Sequence, residues 1–352
     1  MQRDISINML DHMGSLVDQL FLTIPRILNP IKPARKIDID GYLREMDFYF
    51  EMDMVNHPEK LFQFTDTTPK HEKVGDIPFM EGRRETYRFH SEFTPINPLV
   101  RPRYHAHTAN HHAWFIRWTH GDTPRKTVIC LHGYMLGEPN QAERMFSVRK
   151  LFKKGLDVVL FVAPFHWKRA PMGKLHRGIF LQPDDVVMTC EAISHTMTDL
   201  NATISILKDM GVPEPGLIGA SMGGYHAALF SCLSTRVSFA VMVVPAVDYS
   251  APFGPSSVRY GFSVSPGMME KMNTIWTFHS PIHLQPKIDK DHLLFIASKG
   301  DKLCPSPNLV RLLEQWHWPR HAFLTGGHWL IFNNRKRGKL WYQFLEHMNF
   351  IS

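Results

Sequence analysis

The fold of this chain is decided by the stretch Gly216-Leu217-Ile218-Gly219-Ala220-Ser221-Met222-Gly223-Gly224. Its pattern predicts a buried strand, a sharp turn and the start of a helix, and residues 219–223 match G-x-S-x-G. Strand and helix backbones approach closely in such a turn, so side chains at Gly219 and Gly223 would clash. Ser221 is therefore expected at the apex, with its hydroxyl held out from the sheet above the helix N-terminus.

Length and composition indicate a soluble globular protein. The 352 residues are 44% hydrophobic and 21% charged, enough for one large domain or one domain with an attached segment. No apolar run is long enough to cross a bilayer, so we expect no transmembrane segment. The N-terminus also lacks a basic stretch leading into an apolar one, so we expect no secretory signal and a cytoplasmic location.

The net charge of +7 raises the question of nucleic-acid binding. The basic residues are dispersed, and their densest group, residues 335–339, opens a predicted terminal amphipathic helix. This arrangement is typical of a solvated helix face, so we expect no nucleic-acid partner. A preference for anionic substrates or membrane surfaces stays open.

Residues 4–28 are predicted to form an amphipathic helix with an apolar stripe at three- and four-residue steps: Leu10, Met13, Val17, Leu20 and Ile24. The polar side carries Asp4, Asp11 and Asp18, which argues against an anionic membrane surface as the partner. We therefore expect this helix to pack on the main body of the protein.

A second helix is predicted over residues 39–55, whereas residues 57–80 are polar and give no clear pattern. These features predict an N-terminal helical extension over residues 1–80. The main domain is expected over residues 81–352.

Beyond residue 84, predicted strands alternate with predicted helices. The strands are expected at 85–89, 113–118, 127–131, 156–162, 216–220, 239–244, 293–297 and 321–324. The helices are expected at 141–154, 185–207, 222–230, 308–316 and 339–348. This alternation predicts an α/β fold with a mostly parallel central sheet, helices on both faces and antiparallel strands at one edge.

Functional groups in such sheets lie at the carboxyl ends of the strands. The loops that follow three predicted strands there contain His132-Gly133-Tyr134, Asp301 and His328. Ser221, Asp301 and His328 thus occur in the order nucleophile, acid and base. Asp248, which follows strand 239–244, is the alternative acid, and loop position favours Asp301.

These motifs together resemble the α/β-hydrolase family over roughly residues 113–350. The resemblance implies a nucleophile elbow at Ser221, with His328 as the base and Asp301 as the residue that orients it. It also implies an oxyanion hole formed by the N–H groups of Met222 and Tyr134, supported by the His132-Gly133 loop.

Two further groups of residues have alternative readings. The segment 105–112 contains His105, His107, His111 and His112, and H-x-H in a strand is a metal-site pattern. No carboxylate or cysteine completes the set, so we predict a polar loop near the rim of the site and no metal. The cysteines Cys130, Cys190 and Cys232 are expected to be buried, while Cys304 is a weak nucleophile candidate because no base is evident beside it.

A cap-like insertion is predicted over residues 249–291, with many apolar residues. It would form either a pocket for an acyl or aromatic group or ordinary core packing.

We expect a serine hydrolase that cleaves a small-molecule carboxylic ester or thioester, with an apolar acyl group, through an acyl-Ser221 intermediate. Peptide or amide cleavage and acyl transfer by the same triad remain alternatives. Two readings from other classes are a non-catalytic ligand-binding protein and a metal-dependent hydrolase built on the histidines of segment 105–112. No cofactor is expected, and a homo-oligomer is left open.

Overall fold

The computed structural model describes residues 6–28, 38–171, 185–248, 264–332 and 334–352. Strands in these ranges are β1 (His71–Phe79), β2 (Gly82–His90), β3 (His112–Thr119), β4 (Thr127–Leu131), β5 (Asp157–Val162), β6 (Gly216–Ala220), β7 (Phe239–Val243), β8 (Leu293–Ser298) and β9 (Arg320–Leu324). They form one sheet in the order β1-β2-β3-β5-β4-β6-β7-β8-β9.

Neighbouring strands from β5 through β4 to β9 are parallel, while β1, β2 and β3 pair antiparallel and extend one edge through β3–β5. This confirms the predicted mostly parallel sheet with an antiparallel edge. The carboxyl ends of β4, β6, β8 and β9 consequently open on the same side, where their loops can meet.

Helices cover both faces of the sheet. They are α1 (Met9–Leu28), α2 (Ile39–Glu51), α3 (Arg101–His105), α4 (Pro139–Met145), α5 (Val148–Lys153), α6 (Val186–Asp209), α7 (Met222–Leu233), α8 (Pro266–Thr277), α9 (Ser306–Gln315) and α10 (Asn334–His347). No helix in the described part of the chain combines the length and the apolar character needed to cross a membrane.

The core is divided by the sheet, because successive side chains of a strand point to opposite faces. In β4, Ile129 and Leu131 join the core cluster that contains buried residues of α2, α6, α7, α8 and α9. Val128 and Cys130 join the opposite cluster, with α4, α5 and α10. Strands buried on both faces read as continuous apolar runs, which is why the sequence located them well.

Strand β1 lies in residues 57–80, where the sequence analysis predicts no regular element. It pairs with β2 from His71↔Phe89 to Phe79↔Gly82. Most of its side chains are exposed, and Gly75 follows a register shift, so the strand lacks the apolar alternation that prediction depends on. The predicted helical extension over residues 1–80 therefore includes an edge strand of the main sheet.

Two helix predictions also differ from the structure. The predicted helix 141–154 is divided into α4 and α5, because Ser147 between them adopts a left-handed conformation with φ of 51°. Helix α1 packs on the main body as expected, but with its polar side: Asp11 and Asp18 are fully buried, whereas Leu20 is 61% exposed.

The predicted insertion 249–291 is described only from residue 264, and its segment 249–263, with Phe253, Tyr260 and Phe262, lies outside the described residues. Helix α8 packs against α2 and α6. Its buried apolar residues Met268, Met272, Ile275 and Trp276 belong to the main core. For this part of the insertion the core-packing interpretation is the correct one.

Candidate active site

Ser221 occupies the turn between β6 and α7. Its backbone has φ of 56° and ψ of −116°, a conformation that non-glycine residues seldom adopt, and its N–H donates to the Val243 carbonyl at 2.8 Å. A Cβ on Gly219 would lie 2.0 Å from the Gly223 oxygen, and one on Gly223 would lie 1.8 Å from the Leu131 oxygen. The close approach that produces this turn therefore requires glycine at both positions.

Three of the sequence-predicted residues meet at the carboxyl edge of the sheet. His328 Nε2 lies 3.0 Å from Ser221 Oγ, and His328 Nδ1 lies 2.7 Å from Asp301 Oδ2. His328 is reached through the loop after β9, and Asp301 through the loop after β8. Asp301 and His328 are buried, so their hydrogen bond is little screened by water.

Asp301, not the alternative Asp248, is the carboxylate bonded to His328. Its second oxygen, Oδ1, accepts the N–H groups of Leu303 at 2.9 Å and Cys304 at 2.7 Å. These bonds fix the carboxylate in place while Oδ2 faces the imidazole. An ionised acceptor held by backbone donors is suited to select one tautomer of the histidine.

Two opposing effects act on the pKa of His328. Burial, the largest single effect, lowers it, whereas Asp301 and Cys304 raise it through their charges and hydrogen bonds. Asp301 and Cys304 together outweigh burial, so the pKa of His328 lies well above its usual value. A protonated imidazole is thereby stabilised next to Ser221.

The loop after β4 lies beside the nucleophile candidate. A Cβ on Gly133 would lie 3.7 Å from the Ser221 Cβ, and the Leu136 N–H donates to the Gly133 carbonyl at 3.2 Å to close a turn around Tyr134. The role of the Tyr134 N–H as an oxyanion donor stays a prediction. Met222, the other predicted donor, is the first residue of α7, where N–H groups point out of the helix end.

His132 fastens that loop to β5. Its Nε2 accepts the N–H of Ala163 at 3.1 Å, so its Nδ1 carries the proton and donates to the Gly133 carbonyl at 2.9 Å. Burial lowers the pKa of His132 to about 4. The ring is therefore neutral near pH 7, and its two hydrogen bonds hold the loop in place.

Comparison with known families identifies the chain. The sequence model of the family "Alpha/beta hydrolase domain containing 18" matches residues 82–265, more than half of the chain. The chain belongs to this family.

Two further proteins and one solved structure are similar to this chain. The uncharacterized proteins MT2702 and Rv2627c of Mycobacterium tuberculosis, from strains CDC 1551 and H37Rv, are 26% and 27% identical to this chain. The matches cover 82% and 72% of this chain, and 70% and 62% of those proteins. Acetyl xylan esterase 1 from Thermoanaerobacterium has the same fold, with a TM-score of 0.51, 16% identity and coverage of 90% of this chain and 95% of that chain.

Cys304 borders the site of this α/β-hydrolase family member more closely than the sequence suggested. One donor atom each from Asp301, Cys304 and His328 lies within 4.8 Å of the others, and the thiol is within hydrogen-bonding reach of His328 and Ser221. A base is thus adjacent, contrary to the sequence reading. Burial raises the pKa of the Cys304 thiol, so the thiol stays protonated and is a poor nucleophile.

The histidines of segment 105–112 do not form the strand predicted for an H-x-H metal site. His105 ends α3, residues 108–111 form a 3₁₀ turn, and β3 begins only at His112. Within the described ranges, none of them belongs to a group of three donor residues close enough for one ion. Three of them line a cavity of about 300 Å³: His105, His107 and His111. Its lining also includes Ser91 and His195 but none of Ser221, Asp301 and His328.

A second serine, histidine and aspartate lie together elsewhere. Ser91 Oγ lies 2.8 Å from His195 Nε2 and donates to Asp199 Oδ1 at 2.6 Å, while Arg169 donates to Asp199 Oδ2 at 2.7 Å. Here the serine hydroxyl donates its hydrogen bond directly to the carboxylate, and the arginine pairs with the same carboxylate. Ser91 also lacks the strained turn and the helix N-terminus found at Ser221, so this grouping is a buried structural network.

Sequence reasoning missed one element of the site altogether. Asp18 of α1 accepts backbone N–H groups of the loops that carry Asp301 and His328. The available signal was the polar stripe Asp11, Gly14, Ser15 and Asp18, whose steps of three, one and three residues place it on one helix face.

Proposed function

We propose that this protein is a serine hydrolase that cleaves a carboxylic ester or thioester through an acyl-Ser221 intermediate. The observation that carries the proposal is the continuous chain of hydrogen bonds from Ser221 Oγ through His328 to Asp301, at 3.0 Å and 2.7 Å, on an elbow where the serine is partly exposed. The family assignment supports the same class of enzyme.

In the first half of the reaction, His328 Nε2 removes the proton of Ser221 as Oγ attacks the acyl carbon. The tetrahedral oxygen that forms becomes negatively charged, and we assign the N–H groups of Met222 and Tyr134 as its donors. The imidazolium, stabilised by Asp301, then returns the proton to the departing alcohol or thiol. The products of this half are the free leaving group and acyl-Ser221.

In the second half, a water molecule replaces the leaving group. His328 takes one proton from the water as its oxygen attacks the acyl carbon, and then delivers that proton to Ser221 Oγ. The carboxylic acid leaves and the serine is regenerated. We expect this site to cleave esters and thioesters most readily, because their leaving groups depart more readily than an amine.

The test is covalent labelling with a fluorophosphonate, followed by intact-mass measurement, on the native protein and on Ser221→Ala. We expect one adduct on the native protein and none on Ser221→Ala. Ser91→Ala is the matched control, because it removes the serine of the second grouping, and it should label like the native protein. Labelling that persists in Ser221→Ala and disappears in Ser91→Ala would overturn the assignment.

Matched aryl ester, thioester and anilide substrates then separate the reaction classes. We expect turnover of the ester and thioester, lowered by about 10⁴-fold or more in Ser221→Ala. Faster cleavage of the anilide would favour the amidase reading, and transfer of the acyl group to an added alcohol in preference to water would favour the transferase reading. Binding without turnover or labelling would favour a non-catalytic protein, and chelator-sensitive turnover in Ser221→Ala would favour a metal-dependent hydrolase.

A further inference from the structure

Helix α1 presents a polar face to the loops that follow β8 and β9. Asp11, Gly14, Ser15 and Asp18 are all buried on this face, whereas Leu16 on the other side is 60% exposed. A helix that packs through its carboxylates and exposes its apolar residues inverts the usual arrangement. The contacts of those polar groups explain the inversion.

Asp18 joins the backbones on either side of the acid and the base. Its Oδ1 accepts the N–H groups of His328 at 3.0 Å and Trp329 at 3.2 Å. Its Oδ2 accepts the N–H groups of Lys302 at 3.0 Å and His328 at 2.8 Å. One carboxylate therefore fixes the residue next to Asp301 against His328 itself.

Two neighbours on α1 make parallel bonds to the same loops. Asp11 Oδ1 accepts the Gly326 N–H at 2.8 Å, and Ser15 Oγ donates to the Gly300 carbonyl at 2.6 Å. A Cβ on Gly14 would lie 2.0 Å from the nitrogen of Gly327, so the helix backbone and the loop are in direct contact. Each loop is thus held by at least two groups of one rigid element.

Burying the carboxylate of Asp18 is energetically unfavourable, which burying an apolar side chain would not be. Burial raises the pKa of Asp18, although three backbone N–H groups oppose this effect. Well-packed apolar residues are frequently as stabilising as buried charges, so a carboxylate aimed at three donors beside Asp301 and His328 is better explained by geometry than by stability.

We propose that Asp18 is a positioning residue that sets the distance between Asp301 and His328, and so keeps the histidine poised against Ser221. The inference rests on the proposed function, since it assigns the machinery that aligns that triad. Misplacement of a reacting group by about 1 Å can cost on the order of 10²-fold in rate.

The decisive variant is Asp18→Asn, which keeps the size of the side chain but turns one acceptor oxygen into a donor facing backbone N–H groups. We expect the fluorophosphonate inactivation rate constant to fall by about 10- to 100-fold per folded molecule. We expect kcat for an ester to fall by the same factor, while KM changes by less than about twofold, because Asp18 acts on the triad and not on the substrate.

Asp157→Asn is the matched control for loss of stability. Asp157 is a fully buried aspartate at the opposite end of the sheet, where it accepts the His120 N–H at 3.1 Å and pairs with Arg117 at 2.8 Å. We expect its variant to lower Tm and leave the inactivation rate of the folded protein unchanged. Leu16→Ala, on the exposed side of α1, should change neither quantity.

A proton NMR measurement tests the inference independently of catalysis. The Nδ1 proton shared by His328 and Asp301 should give a strongly deshielded resonance, identified by its loss in Asp301→Ala. We expect Asp18→Asn to shift or broaden this resonance, and Asp157→Asn to leave it in place.

A native inactivation rate and an unchanged resonance in Asp18→Asn would overturn the positioning role, as would an equal rate loss in Asp157→Asn at equal Tm. Failure of the native protein to be labelled would count against the proposed function alone, since the resonance still decides the role of Asp18.

Discussion

His328 is buried beside Asp301 and Cys304, and the balance between these effects determines when it can act as a base. Only the neutral imidazole can take the proton of Ser221. Because Asp301 and Cys304 together outweigh burial, the pKa of His328 is raised and the neutral form requires a higher pH. The same raised pKa makes His328 a stronger base once it is neutral.

We therefore predict that the fluorophosphonate inactivation rate rises with pH, with a midpoint above 6.5, as His328 loses its proton. The measurement is the inactivation rate constant of the native protein between pH 5 and pH 10. A midpoint at or below 6.5 would mean that burial outweighs the carboxylate.

Cys304→Ala is the companion variant for this profile. Cys304 lies beside His328 and acts with Asp301 to raise its pKa, so the variant should lower the midpoint. A midpoint unchanged from that of the native protein would show that Asp301 alone offsets burial.

At the scale of secondary-structure elements, prediction succeeded where burial determines the sequence pattern. The strands that precede Ser221 and Asp301 are buried runs, so both their positions and the loops that follow them could be read, whereas β9, before His328, is only partly buried. The approach of the three side chains followed from the rule that carboxyl ends of parallel strands share one edge. Ser221 and Asp301 are 80 residues apart and Asp301 and His328 are 27 residues apart, yet this rule was enough to predict that they meet.

The elements that sequence reasoning misread are those whose pattern is set by tertiary contacts. The edge strand β1 is mostly exposed and so lacks an apolar alternation. The buried face of α1 is polar because it meets backbone N–H groups of loops that lie some 300 residues later in the chain. Nothing in the sequence of residues 9–28 itself indicates those donors.

The contact between α1 and the loop after β9 supplies a test at this scale. We predict that Gly14→Ala destabilises the protein and slows fluorophosphonate inactivation, because the new Cβ would lie 2.0 Å from the Gly327 nitrogen. Alanine in a helix interior is otherwise favoured over glycine by about 1 kcal/mol, while overpacking costs about 1–3 kcal/mol. The measurements are the free energy of unfolding in urea and the inactivation rate constant.

Gly338→Ala in α10 is the matched control. A Cβ at Gly338 would meet nothing within 4 Å, so this variant should be neutral or more stable than the native protein and should react at the native rate. If Gly14→Ala behaved like Gly338→Ala, the packing of α1 on the loop would be looser than the structure describes.

For the whole molecule, the most consequential feature of the core is its buried histidines. His132, His166, His226 and His279 are fully buried, and burial lowers the pKa of each; the values for His226 and His279 are about 3. These rings are neutral in the folded protein but take up protons near pH 6.5 once the chain is unfolded. Glu191 acts in the opposite direction, because burial raises its pKa to about 7.

The sign of the resulting pH dependence follows from proton counts. Between about pH 6.5 and pH 5 the unfolded chain binds protons at four histidines that the folded protein excludes, while the folded protein binds additional protons at Glu191 and, in the upper part of this range, at His328. The unfolded state therefore binds more protons in total, and stability falls as the pH is lowered. The slope is about 1.4 kcal/mol per pH unit for each net proton taken up on unfolding.

We predict that the free energy of unfolding, measured in urea by tryptophan fluorescence at pH 7, 6 and 5, decreases steeply over this range. His226→Phe should reduce the slope by about one proton, since it removes one titrating ring from the core while keeping an aromatic side chain. A flat profile, or an equal slope in His226→Phe, would show that these histidines titrate in the folded state. Activity should decline at a higher pH than stability does, because His328 is already protonated in the folded protein before the core histidines drive unfolding.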